Sequence, residues 1–382
     1  MNRAPVYIID HQVLTPLASG TAANLDAIAA GNSAVMPSRH QLYQDQGICG
    51  ALFSPAQWKQ LKEPLGANLT NFEALLLHSI TEVLRSSELN LSAPDTVLIL
   101  ASTKGNIGEL NEGSTAAAER AGLDLSAARL AAALNYHSAP LLISNACISG
   151  MTALLVAKRL LQAGHYKHAL VAGADCISPF IMAGFKSFQA LSTSECRPFD
   201  KDRNGLNLGE GAATLLLSTA RHGPEKMVLS GGATSNDANH ISGPSRTGAE
   251  MAFAIRQSMR QAGLEAGRIG FISAHGTATP YNDEMESKAF IAAELDRVPA
   301  FSLKAFFGHT LGAAGLIESA ISLEALKRGW LLPSRGYANH GVTAAVNISK
   351  ELIKHQSFQH FIKTGSGFGG CNAALVFSKT SN

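Results

Sequence analysis

Apolar residues along this chain fall into runs of two lengths, and the two kinds alternate. Short runs at 6–9, 96–101, 141–143, 169–175, 213–218, 227–231, 269–274, 300–303, 344–348 and 373–377 predict buried strands. Longer segments with helical periodicity predict helices over 21–30, 71–87, 126–134, 248–262, 283–295 and 311–328, with 178–191 helical in part. The most apolar of the long segments directly follows 143. After the small-residue turn Ser144-Asn145-Ala146-Cys147-Ile148-Ser149-Gly150, it carries charge only at Lys158 and Arg159 and is closed by Gly164. Residues 32–68 have weak periodicity and are expected to be mostly irregular. Strands alternating with helices predict α/β layers with helices covering the sheet faces. The polar segment 219–226 divides the chain into an expected N-terminal half, 1–218, and a C-terminal half, 227–382. No internal repeat is visible by self-similarity.

Composition narrows the function classes. Charged residues are 16% and hydrophobic ones 46% of the 382 positions, so large buried layers or a subunit interface are expected. A net charge of +2 without a Lys/Arg-rich run argues against nucleic acid or an anionic membrane as partner. Five scattered cysteines without a CxxC pair fit neither a disulfide framework nor a zinc site, and point to a reducing compartment. No stretch reaches the ~18 apolar residues of a membrane span, and the expected location is cytoplasmic.

Cys147 sits where a strand gives way to an apolar helix. Free backbone N–H groups and the helix dipole there favour the thiolate, which makes this thiol the candidate nucleophile. Three further motifs fall at strand ends, where sites of layered α/β proteins collect. They are Ala274-His-Gly-Thr-Ala-Thr-Pro-Tyr-Asn-Asp283, Ser302-Leu-Lys-Ala-Phe-Phe-Gly-His-Thr-Leu-Gly-Ala-Ala-Gly315 and the Gly-rich turn Gly365-Ser-Gly-Phe-Gly-Gly-Cys-Asn372. The last lacks the Lys-Ser/Thr of a phosphate-binding loop. Glu318 lies inside an apolar helix after Lys304-Ala-Phe-Phe307, so a buried Lys304–Glu318 ion pair is expected. Asp283 and Glu286 read as helix-start acids with a structural role.

Together, and in this order, these motifs resemble the β-ketoacyl-acyl-carrier-protein synthases. Arg197-Pro-Phe-Asp-Lys-Asp-Arg203 and Leu208-Gly-Glu-Gly211 also match that family's loop. The resemblance implies a thiolase-like fold, two pseudo-symmetric halves in αβαβα layers. It implies Cys147 as nucleophile, His275 and His309 as its partners, and Lys304 and Glu318 as their support. Phe368 becomes the gating residue, with its backbone N–H and that of Cys147 as oxyanion donors. Thr277 and Thr279 become pantetheine contacts, and Leu206 part of the pocket-gating loop. The implied reaction is decarboxylative Claisen condensation with a malonyl thioester, without metal or organic cofactor, the substrates riding on the phosphopantetheine of an acyl carrier protein. The implied assembly is a homodimer, or a heterodimer with a second ketosynthase-like subunit.

The chain departs from the commoner pattern at Asn204, Leu206 and Cys371, where Asp, Phe and Thr are usual. Lys59 and Lys62 are the basic residues left to receive an acidic carrier. Two alternatives remain, a non-condensing subunit that resembles a chain length factor and a thiolase. The intact Cys147, His275 and His309 weigh against the first, and the second histidine against the other.

Overall fold

The computed structural model describes residues 4–37, 49–65, 69–112, 115–220, 226–238 and 243–380. Its main sheet has ten strands in the order β11-β10-β12-β13-β9-β1-β8-β6-β4-β5. In chain order they are β1 (Tyr7–Leu14), β4 (Thr96–Ala101), β5 (Leu141–Ile143), β6 (His168–Asp175), β8 (Gly211–Ser218), β9 (Lys226–Asn236), β10 (Phe271–Ser273), β11 (Ala300–Phe301), β12 (His360–Gly367) and β13 (Cys371–Thr380). A small sheet joins β2 (Met36–Pro37), β3 (Cys49–Ala51) and β7 (Leu208–Gly209).

The large sheet is two copies of one pattern. From its outer edge inward, each five-stranded half uses the third, second, fourth, fifth and first of its own strands. In each half the outer three strands run parallel and the remaining pairings are antiparallel. Within the sheet the halves join where β1 pairs with β9, Tyr7 with Val228 and Ile8 with Met227.

The helices are α1 (Thr21–Ala29), α2 (Pro55–Lys62), α3 (Asn71–Ser86), α4 (Thr115–Arg120), α5 (Leu123–Ala133), α6 (Ser149–Gln162), α7 (Pro179–Ser187), α8 (Ala249–Ala262), α9 (Pro280–Ala292), α10 (Lys304–Phe307) and α11 (Ala314–Arg328). Helices α6 and α11 pack on each other and on strands of both halves, forming the central layer. Helices α3 and α5 cover one outer face, and α8 with α9 the other. This is the αβαβα arrangement of the thiolase-like fold. Helix α11 is buried nearly all round, as a helix between the two halves of the large sheet must be.

Near their starts, α6 and α11 interlock. A Cβ on Gly150 would lie 2.7 Å from Leu316 Cγ, and one on Gly315 would lie 2.4 Å from Met151 Cγ. Each helix thus offers a glycine at its second position to receive the other's third residue.

Four expectations change. Within 32–68, α2 forms because Ser54 and Gln57 make a reciprocal capping box and Pro55 opens the helix, while only Leu61 of it is buried, which hid the periodicity. Residues 344–348 are not a strand: Ile348 makes a single bridge to Ala300. Strand β5 exists but is an edge strand, with Leu141 38% exposed. The Gly-rich stretch is mostly strand, since β12 runs through Gly367 and pairs it with Cys371, which leaves the turn to Phe368, Gly369 and Gly370. Residues 221–225 of the expected boundary lie outside the described residues.

Phe361 on β12 is fully buried between Phe271 and Phe377, with ring centroids 4.9 Å away on both sides. Phe361→Ala is expected to cost about 3–5 kcal/mol, read as a lower midpoint in denaturant with little change in slope.

Candidate active site

Cys147 lies two residues ahead of α6, and His309 two residues ahead of the short helical turn Leu311–Ala313 that leads into α11. The glycine interlock therefore draws both towards one point. Before Cys147 the backbone is strained: Ala146 has φ +44°, and the turn is held by Ser149 Oγ, which accepts from Asn145 N at 2.8 Å and donates to Ala146 O at 2.6 Å. His309 is pinned by the small sheet, its N–H donating to Asn207 O at 2.7 Å and its carbonyl accepting from Gly209 at 3.0 Å.

His275 leaves the end of β10, and its loop is gripped by two acids of α9. Glu286 accepts from the backbone N–H groups of His275 and Gly276, both at 2.8 Å, and from Thr364 Oγ1 at 2.6 Å. Asp283 accepts from Thr277 N at 2.9 Å and Phe199 N at 2.7 Å, so its structural role is to hold this loop. Burial, reinforced by Glu286, pushes the Asp283 carboxyl up to about 6.

A cavity of about 510 Å³ brings together Cys147, His275, His309, Phe368, Leu206, Thr277 and Thr279. The two imidazoles meet edge to face, 5.3 Å apart. Thr277 and Thr279 share a hydroxyl–hydroxyl hydrogen bond of 2.8 Å. Phe368 at the hairpin tip packs on Phe185 and Phe188 of the α7 region, at 5.5 and 4.8 Å, and Phe185 also meets the edge of His309.

Behind the wall, Lys304 and Glu318 form the expected buried pair at 2.7 Å. Lys304 Nζ also stands 3.5 Å from His275 Nδ1. An ammonium can only donate, so this contact favours the tautomer with Nδ1 unprotonated and the proton on Nε2.

Sequence reading missed Lys363, which stands 2.7 Å from the other oxygen of Glu318. One carboxylate thus holds two ammonium groups, and the cluster is net positive. The only signal was a lysine inside the apolar run Phe361-Ile-Lys, in a segment not read as a strand. Phe185 and Phe188 were missed as well, although they recur at helical spacing beside the cavity.

The electrostatics correct one expectation. The Cys147 thiol is pushed up to about 12, first by burial and then by the neighbouring Cys371; Lys304 and a backbone hydrogen bond from Phe368 act the other way without prevailing. The helix dipole does not offset this, because Cys147 is only 8% exposed and burial disfavours the thiolate. Both histidines are lowered well below 6.5, by burial first and then by Lys304. The resting site is a neutral thiol beside two neutral imidazoles.

With that geometry in place, comparison with known proteins is direct. Residues 56–223 match the family model for the β-ketoacyl synthase N-terminal domain, and residues 227–338 that for the β-ketoacyl synthase C-terminal domain. The chain belongs to the β-ketoacyl synthase family, within the thiolase superfamily. It is 34% identical over 254 residues to 3-oxoacyl-(acyl-carrier-protein) synthase 2 of Vibrio cholerae, a match covering 62% of this chain and 61% of that protein. The matched stretch thus spans about three-fifths of the curated relatives' length. Two solved structures share the whole fold. The ketosynthase ApeO, in complex with its chain length factor ApeC, from Xenorhabdus doucetiae has a TM-score of 0.86 at 25% identity, with 99% of this chain and 98% of that one covered. A β-ketoacyl synthase from Burkholderia phymatum has the same TM-score and identity, with 99% and 100% covered.

Alkylation checks the state of the thiol. The rate of Cys147 carboxamidomethylation by iodoacetamide is expected to keep rising with pH to at least 10. A plateau reached near neutral pH would show a preformed thiolate.

Proposed function

We propose that this protein is a condensing ketosynthase, which takes an acyl group onto Cys147 and joins it to a malonyl-carrier thioester with loss of carbon dioxide. The observation that carries this reading is the convergence of one thiol and two imidazoles on a single cavity backed by the buried cluster of Lys304, Glu318 and Lys363.

In the first step the thiol proton passes to a neutral imidazole as sulfur attacks the carbonyl of the incoming thioester. The pantetheine C–S bond breaks, and the departing sulfur takes that proton back. The backbone N–H groups of Cys147 and Phe368 serve the tetrahedral oxyanion. One such donor is worth about 2.7–4 kcal/mol in related chemistry.

In the second step the malonyl carboxylate leaves as carbon dioxide, and its electron pair moves into the thioester carbonyl as an enolate. His275 donates to that oxygen through Nε2–H, and His309 shares the role. The net charge of Lys304, Glu318 and Lys363 favours the anion. The enolate carbon then attacks the acyl carbonyl on Cys147, a C–C bond forms, the Cys147 C–S bond breaks, the released thiolate takes a proton from solvent, and the 3-oxoacyl thioester departs on its carrier.

Partners follow from this chemistry. Thr277 and Thr279 line the route for a pantetheine arm, and Lys59 and Lys62 on α2 are basic positions available to an acidic acyl carrier protein. The exposed edge of β5 supports assembly with a second copy or a second ketosynthase-like subunit. Five unpaired cysteines support a cytoplasmic setting. Among the described residues no helix is long and apolar enough to cross a membrane.

Incubation with an acyl-carrier thioester followed by intact-mass analysis tests the first step. Wild type should gain the acyl mass, and Cys147→Ala should not. His275→Ala should still load but lose malonyl decarboxylation by about 10²–10⁴-fold. An acyl group found on a co-purified partner and never on Cys147 would instead assign the chain to the non-condensing role.

A further inference from the structure

Lys363 is fully buried on β12 and reaches His275 by two routes. Its ammonium donates to Ser273 O at 3.1 Å, Ala274 O at 3.2 Å and Thr364 O at 2.6 Å, and the first two are the carbonyls immediately before His275. It also stands 2.7 Å from Glu318 Oε2, an ion pair between two fully buried side chains. Glu318 Oε1 in turn holds Lys304 Nζ at 2.7 Å, and Lys304 faces His275 Nδ1.

We propose that Lys363 is a positioning residue for His275, anchoring the backbone that precedes it and, through Glu318 and Lys304, holding its ring as the Nε2–H donor. A buried carboxylate with one ammonium partner makes a neutral pair. The second ammonium leaves the Lys304–Glu318–Lys363 triad net positive, with Glu286 as a further carboxylate facing Lys363, and it engages the Glu318 oxygen that Lys304 does not. Charged groups face Lys363 from three elements, Glu318 on α11, Lys304 on α10 and Glu286 on α9. His275 faces Lys304, His309 and Lys363, all of which oppose its protonation, as burial does. Losing Lys363 removes one of the opposing charges, so the imidazole should protonate at higher pH.

This inference rests on the condensation reading for its kinetic arm alone. Nitrogen NMR of labelled histidine, assigned with His275→Ala, is run on wild type, Lys363→Met and Lys363→Gln. Glutamine keeps donors for the carbonyls and covers the case in which the methionine variant does not fold. Wild type should show His275 as the Nε2–H tautomer. In either folded variant the His275 titration should move to higher pH and the acid limb of malonyl-carrier decarboxylation should move with it. The decarboxylation rate should fall about tenfold while acyl loading of Cys147 stays intact. An Nδ1–H tautomer in wild type overturns the proposal, as does a folded variant with the wild-type titration and acid limb, whatever its melting temperature. If wild type decarboxylates nothing, the condensation reading fails and the tautomer and titration still decide the role of Lys363.

Discussion

The close approach of α6 and α11 is the constraint on which the rest of the structure depends. Two halves of one sheet packed on a central layer need the helices of that layer to be apolar on every side and thin where they cross. Gly150 and Gly315 supply the thin places, and Leu316 and Met151 fill them. Because each helix is entered through a short turn carrying a reactive side chain, the contact that closes the core also sets Cys147 opposite His309. Even one added methyl at either glycine would have to displace a neighbour in a densely packed interior.

Charge is arranged around that point against the usual preference of a protein interior. Lys304, Glu318 and Lys363 are all within 1% of full burial, and their Coulombic attraction must offset desolvation of three ions. The excess positive charge and the dry surroundings both act on the imidazoles in the same direction, keeping them uncharged. The same dryness raises Cys147, and the field of Lys304 only partly relieves it. One environment therefore favours the uncharged form of all three groups at rest.

Much of the site was legible in the sequence because motifs at strand ends keep their order when the sheet assembles. The residues Cys147, His275, His309 and Phe368 stand in contiguous, unusual runs of small residues, and Lys304 and Glu318 stand out as charges in apolar surroundings. The structural repeat was legible only through the family resemblance and not through self-similarity, since it is carried by strand order and by a pair of glycines rather than by similar residues. Strand β12 was hidden for a related reason: Gly365-Ser-Gly367 has turn composition, yet its pairing with Asn372 and Ala373 is enforced by β13, which β9 holds on its other side. Losing that strand meant losing Lys363. The state of the thiol failed differently, because a helix start can be seen in one dimension, whereas exclusion of water depends on what folds over it.

The β12–β13 hairpin carries Lys363 near its root and Phe368 at its tip. The root is immobilised, with Lys363 bound to three carbonyls and Thr364 to Glu286, whereas the tip turns through Gly369 and Gly370 at φ +85° and +75°. Any swing of the Phe368 ring is thereby confined to a two-glycine turn. The entrance can yield while the electrostatic floor beneath the histidines keeps its shape.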